Sequence, residues 1–186
     1  MKAGVRALGI AESFVAQRST LAGAVVRANR VVDGFVFGTC TVGGSDATDA
    51  IVDMVERLDR EDVRYLLVAG IAPAWFNVVD LRAIHAATGF PVLSVTFEES
   101  DGLEPALREE FSGEALDRRL STYQTQPDRE PVAVNGETIY VRQVGLDGAK
   151  AREVVRGFTP EGGRPEPLRV ARLAARAADG AFGSKR

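Results

Sequence analysis

The pattern of apolar and polar positions over residues 63–97 predicts a complete β-α-β unit. Residues 63–69 form an apolar run rich in β-branched and aromatic side chains, which is typical of a strand buried on both faces. Residues 76–88 carry apolar side chains at helical spacing, and Gly89 supplies the left-handed residue that ends such helices. A second apolar run follows at 92–97. Two buried strands joined by one helix lie parallel, so the crossover is expected to be right-handed.

The rest of the chain predicts a meander before this unit, and helices and a hairpin after it. Asn135-Gly136 is the strongest short hairpin signal. The predicted strands are residues 5–10, 21–28, 31–41, 131–134 and 137–144, and the predicted helices are 46–60, 103–123, 148–157 and 167–178. The tail from about residue 180, with GSKR at its end, is expected to fray.

Composition narrows the class of protein. The chain of 186 residues is 45% apolar and 26% charged, so we expect one globular domain over residues 1–186. The net charge of −3 argues against binding nucleic acid by bulk charge and leaves room for a local basic patch. No apolar run approaches the roughly 20 residues that span a bilayer, and the N-terminus lacks a signal-peptide layout. We therefore expect a cytoplasmic protein with no membrane partner.

Cys40 is the only cysteine. A single cysteine excludes an internal disulfide and any metal site built from several cysteines. Because Cys40 lies in a predicted apolar strand, we expect a buried thiol that fills space in the core.

The order of the predicted elements indicates the fold class. Three meandering strands followed by helix, strand, helix and strand is the order of the ribonuclease-H-like fold. This is an α/β architecture in which a mixed sheet, made of an antiparallel three-strand meander plus parallel strands, is flanked by helices. Sites in such sheets form at the carboxyl ends of the strands, so chemistry is expected at residues 69–77.

Five blocks of sequence stand out along the chain. They are Gly9-Ile10-Ala11-Glu12-Ser13, Val32-Asp33-Gly34, Asp46-Ala47-Thr48-Asp49-Ala50, Phe76-Asn77-Val78-Val79-Asp80 and Pro165-Glu166-Pro167-Leu168-Arg169-Val170-Ala171. Together they resemble the endonuclease dU family, an archaeal branch related to endonuclease V. The resemblance covers roughly residues 5–178, and the last two blocks are the most specific.

The resemblance implies metal-dependent phosphodiester cleavage in nucleic acid that carries deaminated or damaged bases. Such chemistry needs carboxylates that converge on Mg²⁺ or Mn²⁺. In the relatives one acid ends the first strand and another ends the central strand, and here Ala11 and Ala69 occupy those positions. A methyl group cannot ligate a metal, so the two alanines argue against cleavage by the family mechanism.

Asp46 and Asp49 are the remaining candidates for catalytic residues and metal ligands. The resemblance places them near the position where endonuclease V supplies a glutamate. Alternatively, Asp46 caps the predicted helix and Asp49 complements the helix dipole. Glu12 is expected to point away from Ala11, because successive side chains on a strand alternate between its faces.

The candidates for substrate binding follow the central strand. Asn77 is placed to contact a phosphate or base and Asp80 to hold it; alternatively, the two residues cap the helix. Trp75 and Phe76 form a stacking platform for a flipped base if they are exposed, and pack the helix onto the sheet if they are not.

Arg164 and Arg169 are the candidate phosphate ligands. Arg169, Arg172 and Arg176 share one helical face, and Arg164 lies just upstream. Arg172 and Arg176 are interpreted as the solvent-exposed face of an amphipathic helix, whereas Arg169 belongs to one of the family-like blocks. His85 lies two turns beyond the strand tip and is interpreted as structural.

Two functions stay open from the sequence. The first is a divergent nuclease-family protein that acts on or binds nucleic acid, with Mg²⁺ or Mn²⁺ held by Asp46 and Asp49. The second is a catalytically silent nucleic-acid-binding or scaffold protein of the same fold. The sequence does not determine the oligomeric state.

Overall fold

The computed structural model describes residues 1–15 and 17–182, which contain one seven-stranded mixed sheet flanked by helices. The tail at 183–186, predicted to fray, lies outside the described residues. The strands are β1 (Arg6–Val15), β2 (Arg18–Arg27), β3 (Val32–Thr41), β4 (Val63–Ala69), β5 (Val92–Thr96), β6 (Glu130–Val134) and β7 (Glu137–Val144). The helices are α1 (Ala47–Leu58), the single turn α2 (Pro73–Phe76), α3 (Leu81–Thr88), α4 (Glu104–Glu110), α5 (Gly113–Gln124), α6 (Gly148–Gly157) and α7 (Glu166–Phe182).

The strand order is β3-β2-β1-β4-β5-β7-β6, which confirms the predicted fold class. Strands β1, β2 and β3 form the antiparallel meander, and β1, β4 and β5 run parallel to one another. The β6–β7 hairpin attaches antiparallel to β5. The carboxyl ends of β1, β3, β4 and β5 therefore meet at one edge of the sheet, which we call the carboxyl edge; the opposite edge is the amino edge.

Helices cover both faces of the central strands, as continuous apolar strands require. Leu8 and Ile10 of β1 pack toward α1 and α3, whereas Ala7 packs toward α6 and α7. The packing of α7 onto β1 depends on Gly9, because a Cβ atom there would lie 2.3 Å from the backbone carbonyl carbon of Pro167. Two of the family-like blocks are thus in direct contact.

The helix predicted at 76–88 begins later, at Leu81. Asp80 is its N-cap, with a side chain that accepts hydrogen bonds from the amides of Arg82 and Ala83. Asn77 does not cap this helix, because its side chain is bonded to a different loop. Residues 71–80 instead form a loop that contains the turn α2.

The helical region predicted at 103–123 contains two helices, α4 and α5. Ser112 is extended and Gly113 has a φ of 56°, so the backbone turns between α4 and α5. Cys40 is buried, as predicted. No helix within the described residues has the length and apolar character needed to cross a membrane.

Candidate functional site

The tips of β1 and β4 lie side by side at the carboxyl edge. The parallel register pairs Ile10 with Val68, which places Ala11 beside Ala69, as expected from the sequence. Ala11 is only 4% exposed and packs with Ala24 and Ala171, so its methyl group belongs to the core beneath α7. These two neighbouring positions therefore present no oxygen atom to a metal ion.

A cleft opens at these tips. It consists of two adjoining depressions, one on each face of the sheet at its carboxyl edge, which share Ala69, Gly70, Thr96, Ser100 and Arg129. The first depression adds Arg142 of β7, and the second adds Arg164 and Arg172 from the segment that enters and forms α7. We call this feature the arginine cleft, defined by Arg129, Arg142, Arg164 and Arg172.

Aromatic rings and carbonyl groups hold three of these arginines in place. The guanidinium of Arg129 lies 4.4 Å from the centre of the Tyr140 ring and donates to the carbonyl of Ser100 at 2.8 Å. Arg142 donates to the carbonyl of Pro127. These contacts preorganise the groups without neutralising their charge.

Arg164 packs against an aromatic ring, with its guanidinium 3.9 Å from the centre of the Phe97 ring. Burial, and then the neighbouring charge of Arg172, lower the pKa of Arg164 from its ordinary value. The arginine nonetheless stays protonated, because guanidinium groups keep their charge in proteins.

The cleft carries more positive than negative charge. Within residues 1–15 and 17–182, none of its four arginines forms a salt bridge with Asp or Glu. The acidic side chains along the two depressions are Glu12 and Glu98, so four positive charges face two negative ones. Such a concave surface attracts anions, and phosphate is the anion that arginine matches best in geometry.

Glu12 lines the cleft, a position that the sequence did not predict. Strand alternation turns it away from Ala11, as predicted, and this places it on the face of the sheet that carries Thr96 and Arg142. Its carboxylate accepts a hydrogen bond of 2.7 Å from the hydroxyl of Ser19.

Asp46 and Asn77 belong to a hydrogen-bond network that joins the loop before α1 to the loop after α2. Asn77 is fully buried and donates to the Thr41 carbonyl at 2.9 Å and to Asp46 Oδ1 at 2.7 Å, while its own Oδ1 accepts from the Ala47 amide at 3.0 Å. The α1 cap is therefore supplied by Asn77, since the Asp46 side chain bonds to no amide of that helix.

Hydrogen bonds set the charge state of Asp46. Burial acts to raise the pKa of this carboxyl, but hydrogen bonds from the Thr41 amide and hydroxyl and from Asn77 outweigh burial and lower it. Asp49 is exposed on α1, and Asp80 caps α3.

The donor set does not fit the metal site that the resemblance implies. In the part of the chain that the structure describes, no three His, Cys, Asp or Glu side chains come together as a metal site. Ala11 and Ala69 lack ligand atoms, and the oxygens of Asp46 are engaged by Thr41 and Asn77.

The other residues predicted to bind substrate lie in different parts of the structure. Arg164 lines the arginine cleft, whereas Arg169 forms an ion pair with Glu166 at 2.5 Å. Trp75 is 51% exposed, and the neighbouring Phe76 packs in an apolar cluster with Leu107 and Leu120.

Arg129 and Arg142 were not predicted from the sequence, and Arg172 was assigned to the solvent face. The alternation along β7 contained a signal for Arg142, because buried Ile139 and Val141 place Tyr140 and Arg142 together on the opposite face. No local pattern marks Arg129, which precedes β6 and reaches the cleft only through the fold.

The overall structure is similar to solved endonuclease V structures. Human ENDOV superposes with a TM-score of 0.65 at 15% identity, covering 97% of this chain and 86% of that one. Endonuclease V of Ciona intestinalis, solved with a 24mer DNA containing an inosine followed by a ribo-adenosine, gives 0.64 at 10% identity, covering 96% and 87%. The protein thus has the ribonuclease-H-like fold of the endonuclease V type.

The family follows from the sequence itself. Residues 3–179 match the Endonuclease dU family, and the chain belongs to that family. A UPF0215 protein of Thermococcus kodakarensis is 37% identical over 163 residues, which are 87% of this chain and 82% of that protein. A protein of unknown function from Archaeoglobus fulgidus has a TM-score of 0.84 at 28% identity, covering 94% of this chain and 98% of the other.

Proposed function

We propose that this endonuclease dU family protein binds nucleic acid in the arginine cleft and does not cleave it by a metal mechanism based on two strand-tip carboxylates. The observation that carries the proposal is the meeting of four arginines, without carboxylate partners among the described residues, over the tips of the strands that end at Ala11 and Ala69. At the two strand tips, alanines stand where the resemblance places acids, and the arginines line the depressions beside them.

Phosphate binding is the chemistry that the cleft supports. A guanidinium presents five N–H donors. Arg129 keeps two for a ligand after bonding to the carbonyls of Glu98 and Ser100 and to the Thr96 hydroxyl, and Arg142 keeps donors after bonding to the Pro127 carbonyl. Contacts to phosphate oxygens position a nucleic acid whatever its sequence.

Mg²⁺ or Mn²⁺ has no role in the proposed binding. A divalent ion that activates water requires oxygen ligands, and the strand tips supply methyl groups. Glu12 is a single carboxylate already bonded to Ser19 and lies in a cleft where arginines predominate. That Asp46 and Asp49 act as metal ligands stays a prediction from the sequence, and mutation of these two residues tests it separately.

Binding is tested by fluorescence anisotropy with a labelled single-stranded oligonucleotide over a range of salt concentrations. We expect affinity that falls as salt rises, with a logarithmic slope of about −0.7 for each phosphate contacted. Absence of binding at low salt overturns the proposal.

Cleavage is tested on uracil- and inosine-containing oligonucleotides with Mn²⁺, using the natural chain and the double variant Ala11→Asp/Ala69→Asp. We expect no cleavage by the natural chain, and cleavage gained by the variant would show that carboxylates at the two strand tips are what the natural chain lacks. The matched control, Ala11→Asn/Ala69→Asn, has side chains of the same size without a carboxylate and should be inactive. Cleavage by the natural chain contradicts the catalytic half of the proposal, and Asp46→Asn and Asp49→Asn then identify whether the predicted ligands are responsible.

A further inference from the structure

The loop that follows β4 contains a left-handed turn built without glycine. Ala74, Trp75 and Phe76 have φ values of 49°, 57° and 57°. Residues with a Cβ atom visit this region one at a time, because the Cβ atom crowds the following carbonyl oxygen. Three such residues in succession persist only where the surrounding structure enforces the conformation.

Arg119 of α5 enforces it. This side chain is only 7% exposed and donates to the carbonyls of Phe76 at 3.0 Å, of Gly43 at 2.5 Å and of Gly44 at 2.9 Å. From the other side, the Gly43 amide donates to the Ala74 carbonyl at 2.7 Å. A buried cation thus clamps the turn α2 to the loop between β3 and α1.

The clamp separates two adjacent aromatic side chains. Phe76 points inward, with its ring centre 6.1 Å from that of Phe111, on which the Arg119 guanidinium also lies at 3.8 Å. Trp75 makes an edge contact with Phe76 at 5.4 Å between ring centres and stays half exposed. The unfavourable backbone conformation therefore places the indole at the surface. Because only about half of the ring is buried, its burial contributes little to the stability of the fold.

The turn joins the indole to the arginine cleft through the backbone. Ala72 and Pro73, at the start of the turn, line the cleft together with Arg129 and Arg142. Trp75 follows Pro73 by two residues, which span at most about 7 Å between Cα atoms, and it lies next to Gly43 on the side away from those arginines. A single strand whose phosphates lie in the cleft passes Pro73, and the indole two residues further on offers a stacking face for one of its bases.

We infer that Trp75 is a stacking site for an unpaired nucleobase and that Arg119 is the positioning residue that holds it out. This inference rests on the proposed function and adds to it the class of ligand, a nucleic acid with an unstacked base, either single-stranded or flipped from a duplex. An indole stacks on any base, so the site selects for unpaired structure rather than for sequence.

Trp75 is the only tryptophan of the chain, so intrinsic fluorescence reports this site alone. The protein is titrated with a thymidine oligonucleotide and with an abasic oligonucleotide of equal length, which keeps the phosphates and lacks the bases. We expect strong quenching by the first and little change with the second. Anisotropy of labelled forms of both measures binding independently of stacking.

Variants separate stacking from charge. Trp75→Ala should weaken binding of the thymidine oligonucleotide about tenfold or more and leave the abasic one unchanged, and Trp75→Phe should restore part of the difference. Phe35→Ala is the matched control, because Phe35 is also an exposed aromatic, at 48%, and lies six residues before the end of β3. Arg119→Lys should reduce the preference of the protein for the thymidine oligonucleotide over the abasic one. If Arg119 served only the overall stability of the fold, this preference would not change.

The possible outcomes distinguish failure of the stacking inference from failure of the proposed function. If both oligonucleotides bind equally, with unchanged Trp75 emission and no effect of Trp75→Ala, the stacking inference is wrong and the proposed function stands. If neither binds, the proposed function itself fails. If Arg119→Lys unfolds, the Trp75 variants alone decide.

Discussion

The two edges of the sheet use arginine in opposite ways. At the amino edge, Arg6 and Arg27 both bond to Asp33, at 2.5 and 2.6 Å, and Arg60 bonds to Asp62 at 2.7 Å. At the carboxyl edge, the arginines of the cleft have carbonyls and rings as neighbours and form no salt bridge among the described residues. The same side chain is satisfied at one edge and open to an added anion at the other.

The difference appears in the pKa values. The hydrogen bond from Arg27 lowers the pKa of Asp33 to about 2, against the effect of burial and with help from Arg6. At the other edge burial, and then the neighbouring charge of Arg172, lower the pKa of Arg164. Attraction between opposite charges stabilises the amino edge, whereas like charges lie close together at the carboxyl edge, where a bound anion would offset their repulsion.

The largest expected effect is on binding by the double variant Arg142→Gln/Arg164→Gln. Each charge-assisted phosphate contact contributes about 1.5–3 kcal/mol, so oligonucleotide affinity should fall about 100-fold or more. The salt dependence measured by anisotropy should become shallower by about 0.7 for each phosphate that the variant no longer binds.

Arg6→Gln/Arg27→Gln is the matched control, because it removes the same charge from the amino edge. It should leave affinity nearly unchanged and lower only the midpoint of thermal unfolding. Equal losses of affinity in the two double variants would mean that net charge, and not the arginine cleft, governs binding.

A second expected effect is on stability, through the hydrogen-bond network around Asn77. Asn77→Ala leaves the Thr41 carbonyl and the Ala47 amide without their buried partner, so we expect a loss of about 2–4 kcal/mol in the free energy of unfolding. Chemical denaturation measures this loss. Exposed Asp49→Ala should cost less than about 1 kcal/mol, and a larger effect there would give Asp49 a role that the structure does not explain.

The smallest expected effect is on the pH dependence of stability. Because the folded-state pKa of Asp33 lies below the ordinary value of about 3.9, its contribution is fully present above that value and is lost as pH falls toward 2. Asp33→Asn should therefore lower the unfolding midpoint at neutral pH, and the difference from the natural chain should shrink between pH 4 and 2. A difference that persists unchanged at pH 2 would exclude the Arg27 and Arg6 contacts as its cause.

Local pattern was sufficient for most of the fold. The runs at 63–69 and 92–97 and the Asn135-Gly136 turn identified β4, β5 and the hairpin, because alternation and turn chemistry are properties of neighbouring residues. The start of α3 was placed too early, because Phe76 and Asn77 fit a helical pattern while their contacts lie elsewhere.

The sequence by itself determined the ribonuclease-H-like sheet, the adjacency of positions 11 and 69, and the methyl groups that stand there. Only the tertiary structure decided which arginines are paired, that Asn77 caps α1 from another loop, and that Arg119 holds Trp75 outward. The reason is physical: secondary structure follows from residues close along the chain, whereas the partner of a charge or an amide is set by segments that meet only after folding.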